Sequence, residues 1–259
     1  MTVDTLLAFI VIWKAWRWPV LLSVLFIVPL GDVLENRRLV VRCLMVAALG
    51  LLAAGDPDTE TLEQLAAGEL IGTVAVDRDY VVNGDIADVV LGIEDGRVLR
   101  WTDVTVAPLT PLDPTRRLAR ITPGGSTVVG PDPGLADIAA VLLAAEQIGA
   151  AARCLDLTVE YTKQRVQFGR PIGSFQALKH RMADLYVAVQ SARAVVGDAV
   201  ADLTPVSAAL ARLAASEAFC TVAGEAIQLH GGIAITWEHD AHLYMGRATT
   251  LLSFLRPAD

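Results

Sequence analysis

A chain of 259 residues can hold one or two domains with a substantial core, and 54% of its residues are hydrophobic. A mean hydropathy of +0.49 predicts a buried helical bundle, a subunit interface or a membrane segment. The formal net charge of −8 would repel phosphates, so we expect no nucleic-acid partner. Cys43, Cys154 and Cys220 form no close-spaced pair, which predicts reduced thiols in a cytoplasmic protein.

Residues 1–31 form an apolar segment whose origin the sequence leaves open. Residues 6–30 are almost wholly apolar but include Lys14, Arg17 and Pro19, whereas a membrane span needs roughly 20 uncharged apolar residues. No small-residue cleavage site follows, so a secretory signal is not indicated. Three interpretations stay open: foreign or mis-assigned sequence, a buried or interface helix, and an interfacial membrane helix. The run WKAWRWP at 13–19 faintly resembles a segment of bacterial potassium-uptake transporters.

Residues 32–69 are predicted to be the remnant of an N-terminal helical domain, and residues 70–130 a β domain. Leu62, Leu65 and Ala66 follow helical spacing. The dipeptides Asn83-Gly84 and Asp95-Gly96 are typical of two-residue hairpin turns. They separate short runs that predict a small antiparallel sheet or partial barrel, at 72–76, 80–82, 88–93, 97–101, 104–107 and 127–129.

After the Pro-Asp-Pro sequence at 131–133 the apolar period changes from 2 to 3.6, which predicts a helical domain over 131–259. Apolar stripes predict four helices, at about 135–155, 175–196, 206–230 and 237–255. Four helices with short connections predict an antiparallel bundle. A bundle this apolar is expected to bury one face against another subunit.

Two blocks in the helical domain carry the most specific signal, YTKQRVQFGRPIGSFQALKHRMAD at 161–184 and QLHGGIAITWEHD at 228–240. Together they resemble the C-terminal helical domain of acyl-CoA dehydrogenases, flavoproteins that introduce a double bond next to an acyl thioester. The likeness covers about residues 135–255 and weakens toward the N-terminus. It implies an α+β fold, with a shortened antiparallel β domain before an acyl-CoA dehydrogenase-type C-terminal four-helix bundle. It also implies FAD as the cofactor and an acyl-CoA thioester as the substrate.

The resemblance further implies which residues contact the cofactor. Arg165 falls where the family places the arginine that reaches the flavin pyrophosphate of a neighbouring subunit, and a guanidinium fork suits phosphate oxygens. Further cofactor-binding positions are implied at Phe168, Gln176, Gln228, Gly231 and Gly232. Plainer interpretations also stay open, since Arg165 could be a surface arginine that pairs with Glu160, Gln176 a helix-face glutamine and Gly231-Gly232 an ordinary helix stop.

The catalytic base of the family has no counterpart in this chain. Removal of the α-proton of a thioester requires a carboxylate opposite the flavin, and the positions that the family uses fall near Leu255 and Ala139, neither of which is acidic. Asp137 is interpreted as a residue of the first helical turn, and Glu146 as a solvated or helix-paired charge. The loop that wraps the flavin ring in the family is also missing. We therefore predict no catalytic residue here.

The histidines near the second block have two interpretations. His239 and His242 are three residues apart and could bind a metal with a third ligand. In the family the same pattern forms a helical turn, with Thr236 as a plausible cap, so we predict no metal site. His230 is interpreted as a packing or subunit-contact residue.

These features predict a cytoplasmic subunit of a FAD-dependent acyl-CoA dehydrogenase, the base-lacking partner of a complete subunit in a homo- or hetero-oligomer. Such pairing is similar to that in branches of the family that act on bulky steroid-side-chain thioesters. Two alternatives stay open. One is a truncated, non-catalytic homologue with a structural or binding role, and the other is a membrane-associated protein whose function lies in its N-terminal segment.

Overall fold

The computed structural model describes residues 60–61, 64–65 and 69–253. These residues divide into two compact units, one that ends at Ala139 and one that spans Ala140–Ser253. The predicted apolar segment, most of the predicted helical remnant and position 255 lie outside the described residues.

The first unit contains two small β-sheets. One has four strands in the order β1-β3-β4-β7, and the other has three in the order β2-β6-β5. The strands are β1 (Gly72–Ala75), β2 (Val81–Val82), β3 (Val89–Glu94), β4 (Arg97–Thr102), β5 (Thr105–Leu109), β6 (Leu118–Thr122) and β7 (Gly125–Pro131). All but β6 were expected from the sequence. The charged side chains at 116, 117 and 120 interrupt the apolar pattern around β6, which concealed it.

The strand pairing confirms one predicted hairpin and corrects the other. Strands β3 and β4 pair antiparallel, and the positive φ angles of Asp95 (49°) and Gly96 (69°) form the predicted two-residue turn. The prediction of a hairpin at Asn83-Gly84 was wrong, because β2 pairs with β6 and the Asn83 N–H donates to the Arg117 carbonyl at 2.9 Å. Since β2 lies in the other sheet, β1 and β3 are free to pair with each other, and they do so in parallel.

Strand β3 is buried on both faces. Val89 and Leu91 pack on one side against Leu65, Val98 and Leu135. Val90 packs on the other side in a cluster that draws on both sheets, with Ala75, Val81, Leu99, Trp101 and Ile121. Gly92 of the same strand lies directly against the indole of Trp101, since a Cβ atom at Gly92 would stand only 2.1 Å from the Trp101 ring.

The helical prediction is confirmed. The helices are α1 (Leu135–Gln164), α2 (Gln176–Ala201), α3 (Pro205–His230) and α4 (Ala241–Ser253). Helix α3 begins with a capping box, in which Thr204 Oγ1 accepts from the Ser207 N–H at 3.1 Å and Ser207 Oγ accepts from the Thr204 N–H at 2.9 Å.

The last helix begins later than predicted. It starts at Ala241 and not at Trp237, and Thr236 is not its cap, because the Thr236 hydroxyl donates to the Ile233 carbonyl at 2.9 Å. The Ala241 N–H instead donates to His239 Nδ1 at 3.1 Å. The imidazole therefore satisfies a backbone donor at the first turn, as N-cap side chains do.

Alanine side chains and a few polar groups fill the helical unit. Ala208, Ala211, Ala215 and Ala218 are buried along α3. The Gln147 side-chain amide donates to Ser216 Oγ at 3.1 Å and so links α1 to α3. By length and composition the stretches Leu135–Gln164 and Pro205–Ile235 could cross a membrane, but 44% of each apolar window is buried inside the protein, as in the core helices of a bundle.

Candidate functional site

A cleft of about 460 Å³ lies in the helical unit, at the C-terminal ends of α1 and α3. Two chain segments about sixty residues apart in sequence form it. The lining residues are Tyr161, Arg165, Gln167, Ile172, Leu229, His230, Gly231, Gly232 and Ile233. Both predicted motif blocks therefore contribute to one site.

A short hairpin forms one wall of the cleft. Helix α1 ends at Gln164, and the chain turns back through β8 (Val166–Gln167) and β9 (Arg170–Pro171). The Ile172 N–H donates to the Arg165 carbonyl at 2.8 Å and closes the hairpin. This bond fixes the backbone of Arg165, whose side chain is solvent-exposed.

A glycine turn forms the opposite wall. Helix α3 ends at His230, and Gly231 has a φ of 67°, a conformation that favours glycine. Residues Gly231–Ile235 then form a 3-10 helix. A Cβ atom at Gly231 or Gly232 would meet no heavy atom of the described residues within 4 Å. A ligand could therefore approach the backbone of this turn closely.

Three of the six predicted cofactor-binding residues line the cleft, namely Arg165, Gly231 and Gly232. The other three lie beside it in sequence, on exposed positions. Gln228 is on the last turn of α3, Gln176 is the first residue of α2, and Phe168 is at the tip of the hairpin. The Phe168 ring is 91% exposed, and its centroid is 6.1 Å from that of Phe175.

The cleft contains one cationic side chain, Arg165, and no carboxylate of the described residues pairs with it. Glu160, the partner that the plainer interpretation gave Arg165, pairs with Lys163 at 2.6 Å instead. Within residues 69–253 no ion pair reaches Arg165, and no carboxylate is among the residues that line the cleft. The site can thus bind an anion through a guanidinium and backbone groups, but its described lining offers no carboxylate to remove a proton.

Two residues of the cleft, Tyr161 and His230, contact each other, which the sequence did not predict. Tyr161 was not predicted as a site residue. It lies one helical turn before Arg165, and this i, i+4 spacing was the signal that could have indicated it. Its ring stacks on that of His230, with centroids 4.4 Å apart. Burial lowers the pKa of His230, the neighbouring His239 acts in the same direction, and the hydrogen bond to the Ala226 carbonyl opposes both. The imidazole is therefore neutral at physiological pH.

Neither carboxylate considered as a base lines the cleft. Asp137 lies in the first turn of α1, as predicted. Glu146 was interpreted as a solvated or helix-paired charge; its Oε1 accepts from Arg247 Nη1 of α4 at 2.6 Å, and the Arg247 side chain is only 3% exposed. The Glu146 carboxylate is therefore already engaged in an ion pair between α1 and α4.

The two histidines considered as metal ligands use their Nδ1 atoms in backbone hydrogen bonds. His239 Nδ1 accepts from Ala241, and His242 Nδ1–H donates to the His239 carbonyl at 2.7 Å. Within the described part of the chain no three His, Cys, Asp or Glu side chains lie together as a candidate metal site.

Comparison with known proteins points to one family. Residues 136–253 match the family described as "Acyl-CoA dehydrogenase, C-terminal domain". The chain is 64% identical over 203 residues to "Acyl-CoA dehydrogenase IpdE2" of Mycobacterium tuberculosis and 58% identical over 212 residues to the protein of that name in Mycolicibacterium smegmatis. These alignments cover 78% and 82% of the chain but 64% and 68% of the two relatives.

A solved structure shows the same architecture. It is the ChsE4-ChsE5 complex of Mycobacterium tuberculosis, with a TM-score of 0.71 and 26% identity, over 81% of this chain and 70% of that one. The suggested likeness of residues 13–19 to a potassium-uptake transporter is not borne out by these comparisons, whose matches are to acyl-CoA dehydrogenases.

Proposed function

Because this chain belongs to the acyl-CoA dehydrogenase family, whose cofactor is FAD, we propose that it is a subunit for the α,β-desaturation of an acyl-CoA thioester. It would act as the base-lacking partner of a complete subunit in a hetero-oligomer. In that assembly it binds part of the FAD, and the partner supplies the proton acceptor. We further propose that the complex is cytoplasmic and that the acyl group is bulky and of steroid-side-chain type.

The observation that carries this proposal is the composition of the cleft. Arg165 provides a cation, and the turn at Gly231 and Gly232 leaves its backbone open to close approach. A guanidinium and a closely approached backbone are both features that a dinucleotide pyrophosphate can use, so the residues present fit that part of FAD. The exposed Gln228, Gln176 and Phe168 would contact the adenosine half from the surrounding elements.

The β unit offers less to the flavin ring. Only residues 76–80 connect β1 to β2, where the family resemblance implies a longer flavin-wrapping loop. This connection is fastened to the sheet, because Arg78 pairs with Glu94 and Asp79 pairs with Arg120. A connection so short and so well paired favours a ring pocket supplied by another subunit.

The chemical roles are divided between this chain and its partner subunit. When bound, FAD accepts the hydride that leaves the β-carbon of the thioester. In this chain Arg165 and the glycine turn bind and orient the cofactor, while Glu146 stays paired with Arg247 and takes no proton. The α-proton then goes to a carboxylate of the partner.

Exposed apolar side chains beside the cleft support the proposal that a partner subunit covers this surface. Phe168, Ile235 and Trp237 are 91%, 80% and 84% exposed, and all three are close in sequence to residues that line the cleft. Exposed aromatic and other large apolar side chains are typical of protein interfaces. The similar ChsE4-ChsE5 structure is itself a complex of two different chains, which supports a partner that is not identical.

The test is co-expression of this chain with a complete acyl-CoA dehydrogenase subunit, followed by measurement of flavin content and of acyl-CoA-dependent dye reduction. Arg165→Ala should weaken FAD binding by about 1.5–3 kcal/mol, the range for hydrogen bonds to charged groups. Arg153→Ala is the matched control, since Arg153 is an exposed arginine of α1 that does not line the cleft. Glu146→Gln and Asp137→Asn should leave turnover per bound flavin nearly unchanged.

Two results would contradict the proposal. If Arg165→Ala and Arg153→Ala retain equal flavin, the cleft is not the cofactor site. If no complex forms and the chain never acquires flavin, the alternative of a truncated homologue with a structural or binding role stands.

A further inference from the structure

One residue of the cleft, Tyr161, is hydrogen-bonded to both of its walls. The Tyr161 carbonyl accepts from the Arg165 N–H at 2.9 Å, at the C-terminal end of α1. The Tyr161 hydroxyl donates to the His230 carbonyl at 3.2 Å, at the C-terminal end of α3. His230 directly precedes Gly231 in the chain. Tyr161 therefore joins the residue that carries the cation to the residue from which the glycine turn starts.

Ring contacts fix the direction of the Tyr161 hydroxyl. The Tyr161 ring stacks on the His230 imidazole, with centroids 4.4 Å apart and an angle of 27° between the planes. The imidazole is held on its own helix, because His230 Nδ1 lies 2.8 Å from the Ala226 carbonyl oxygen and the residue is 8% exposed. A tyrosine ring packed on a buried imidazole has few rotamers left, so its hydroxyl stays directed at the end of α3.

The glycine turn depends on bonds at its start, because its glycines supply no side-chain packing. Glycine adopts many backbone conformations, and Gly231 has a φ of 67°. No heavy atom of the described residues would pack against a Cβ atom at Gly231 or Gly232. The Gly231 N–H donates to the Ile227 carbonyl, which attaches the turn to α3. The Tyr161 hydroxyl adds the attachment to α1.

A second polar contact between α1 and α3 lies far from the cleft. The Gln147 side-chain amide donates to Ser216 Oγ at 3.1 Å. Gln147 precedes Tyr161 by about four helical turns, or roughly 21 Å along the helix axis. This contact can hold the two helices together, but it is too distant to set the spacing of groups at their C-terminal ends.

We propose that Tyr161 is a positioning residue of the cleft, whose two hydrogen bonds set the spacing between the Arg165 guanidinium and the turn at Gly231 and Gly232. The inference rests on the proposed FAD-binding role of the cleft. A pyrophosphate that contacts both walls binds best when they stand at the correct distance before it arrives, because the protein then loses little freedom on binding. Tyr161 would thus act on FAD through Arg165 and the turn.

The first measurement is the dissociation constant of FAD from the co-expressed complex, followed by flavin fluorescence. Tyr161→Phe keeps the stacked ring and the backbone bond to Arg165 but removes the hydroxyl. The loss of one hydrogen bond that orders the turn corresponds to a rise of about threefold to tenfold in the dissociation constant.

A double variant distinguishes positioning from a general structural role. In Arg165→Ala the pyrophosphate is held from one wall only and can follow a displaced turn. Adding Tyr161→Phe to Arg165→Ala should therefore raise the dissociation constant by less than about twofold further. A residue that merely supported the fold would have the same effect in both backgrounds, because the effects of independent sites add.

Two control variants test whether the effect is local. Tyr186→Phe removes the hydroxyl of an exposed tyrosine on α2 and should keep the dissociation constant of the parent. Ser216→Ala removes the contact with Gln147 far from the cleft, so it should lower the stability of the complex in urea and leave FAD binding within about twofold of the parent. An unchanged constant in Tyr161→Phe, a full further rise in the Arg165→Ala background, or an equal rise in Ser216→Ala would overturn the inference.

A flavin-free measurement separates this inference from the proposed function. In the full chain without FAD, amide hydrogen exchange at Gly231 and Gly232 should be at least about threefold faster in Tyr161→Phe than in the parent, and unchanged in Tyr186→Phe. If exchange is unchanged in Tyr161→Phe, the inference fails even where the complex binds FAD. If the complex holds no FAD, the proposed function fails, and the exchange rates alone decide whether Tyr161 holds the turn.

Discussion

Replacement of Arg247 by methionine should be among the most destabilising single changes in the helical unit. The Arg247 side chain is 3% exposed and that of Glu146 is 17% exposed, with 2.6 Å between Nη1 and Oε1. Methionine keeps most of the side-chain volume but removes the guanidinium that pairs with the largely buried Glu146 carboxylate. Removal of one partner from a buried ion pair costs about 3–5 kcal/mol, because the remaining charge keeps its desolvation penalty.

A second substitution tests that reason. In Arg247→Met with Glu146→Gln no uncompensated charge remains, so the double variant should recover about 1–3 kcal/mol of the free energy of unfolding. The matched control is Arg181→Met. Arg181 pairs with Glu225 between α2 and α3, but the two side chains are 40% and 33% exposed, and exposed pairs contribute about 0–1 kcal/mol.

Urea unfolding followed by helical circular dichroism gives the four free energies. We expect Arg247→Met to lose several times more stability than Arg181→Met, and the double variant to lie between Arg247→Met and the parent. Equal losses at Arg247 and Arg181, or a double variant less stable than Arg247→Met alone, would refute the account of a buried charge that needs its partner.

Three further predictions concern other parts of the chain. Gly92→Ala should lower the free energy of unfolding of the β unit by about 1–3 kcal/mol, because the new methyl group would overlap the Trp101 ring, and thermal unfolding measures this. Burial raises the pKa of Cys154 to about 12, so alkylation at pH 8, read by mass spectrometry, should modify this thiol only after unfolding. The lowered pKa of His230 favours the unfolded state once the pH falls below about 6.5, so His230→Asn should flatten the loss of stability between pH 7 and 5 in urea titrations.

The sequence by itself determined the features that depend on near neighbours. The change of apolar period located the helical bundle, and the Asp95-Gly96 turn located one hairpin. The two motif blocks identified the family because their residue types and spacing are local. Arg165, Gly231 and Gly232 could therefore be named from the sequence, and the cleft brings these three together.

Only the tertiary structure decided which distant residues meet. Strand β6 has a weak pattern of its own and exists because β2 and β5 pair with it, and the parallel pairing of β1 with β3 depends on β2 lying in the other sheet. Glu146 resembles any charged helix residue until Arg247, 101 positions later, folds against it. The Tyr161 ring likewise stacks on the ring of His230, which is 69 positions later in the chain. Sequence periodicity indicates which face of its own helix or strand a side chain occupies. The residue that this side chain contacts depends on how the helices and strands pack against each other.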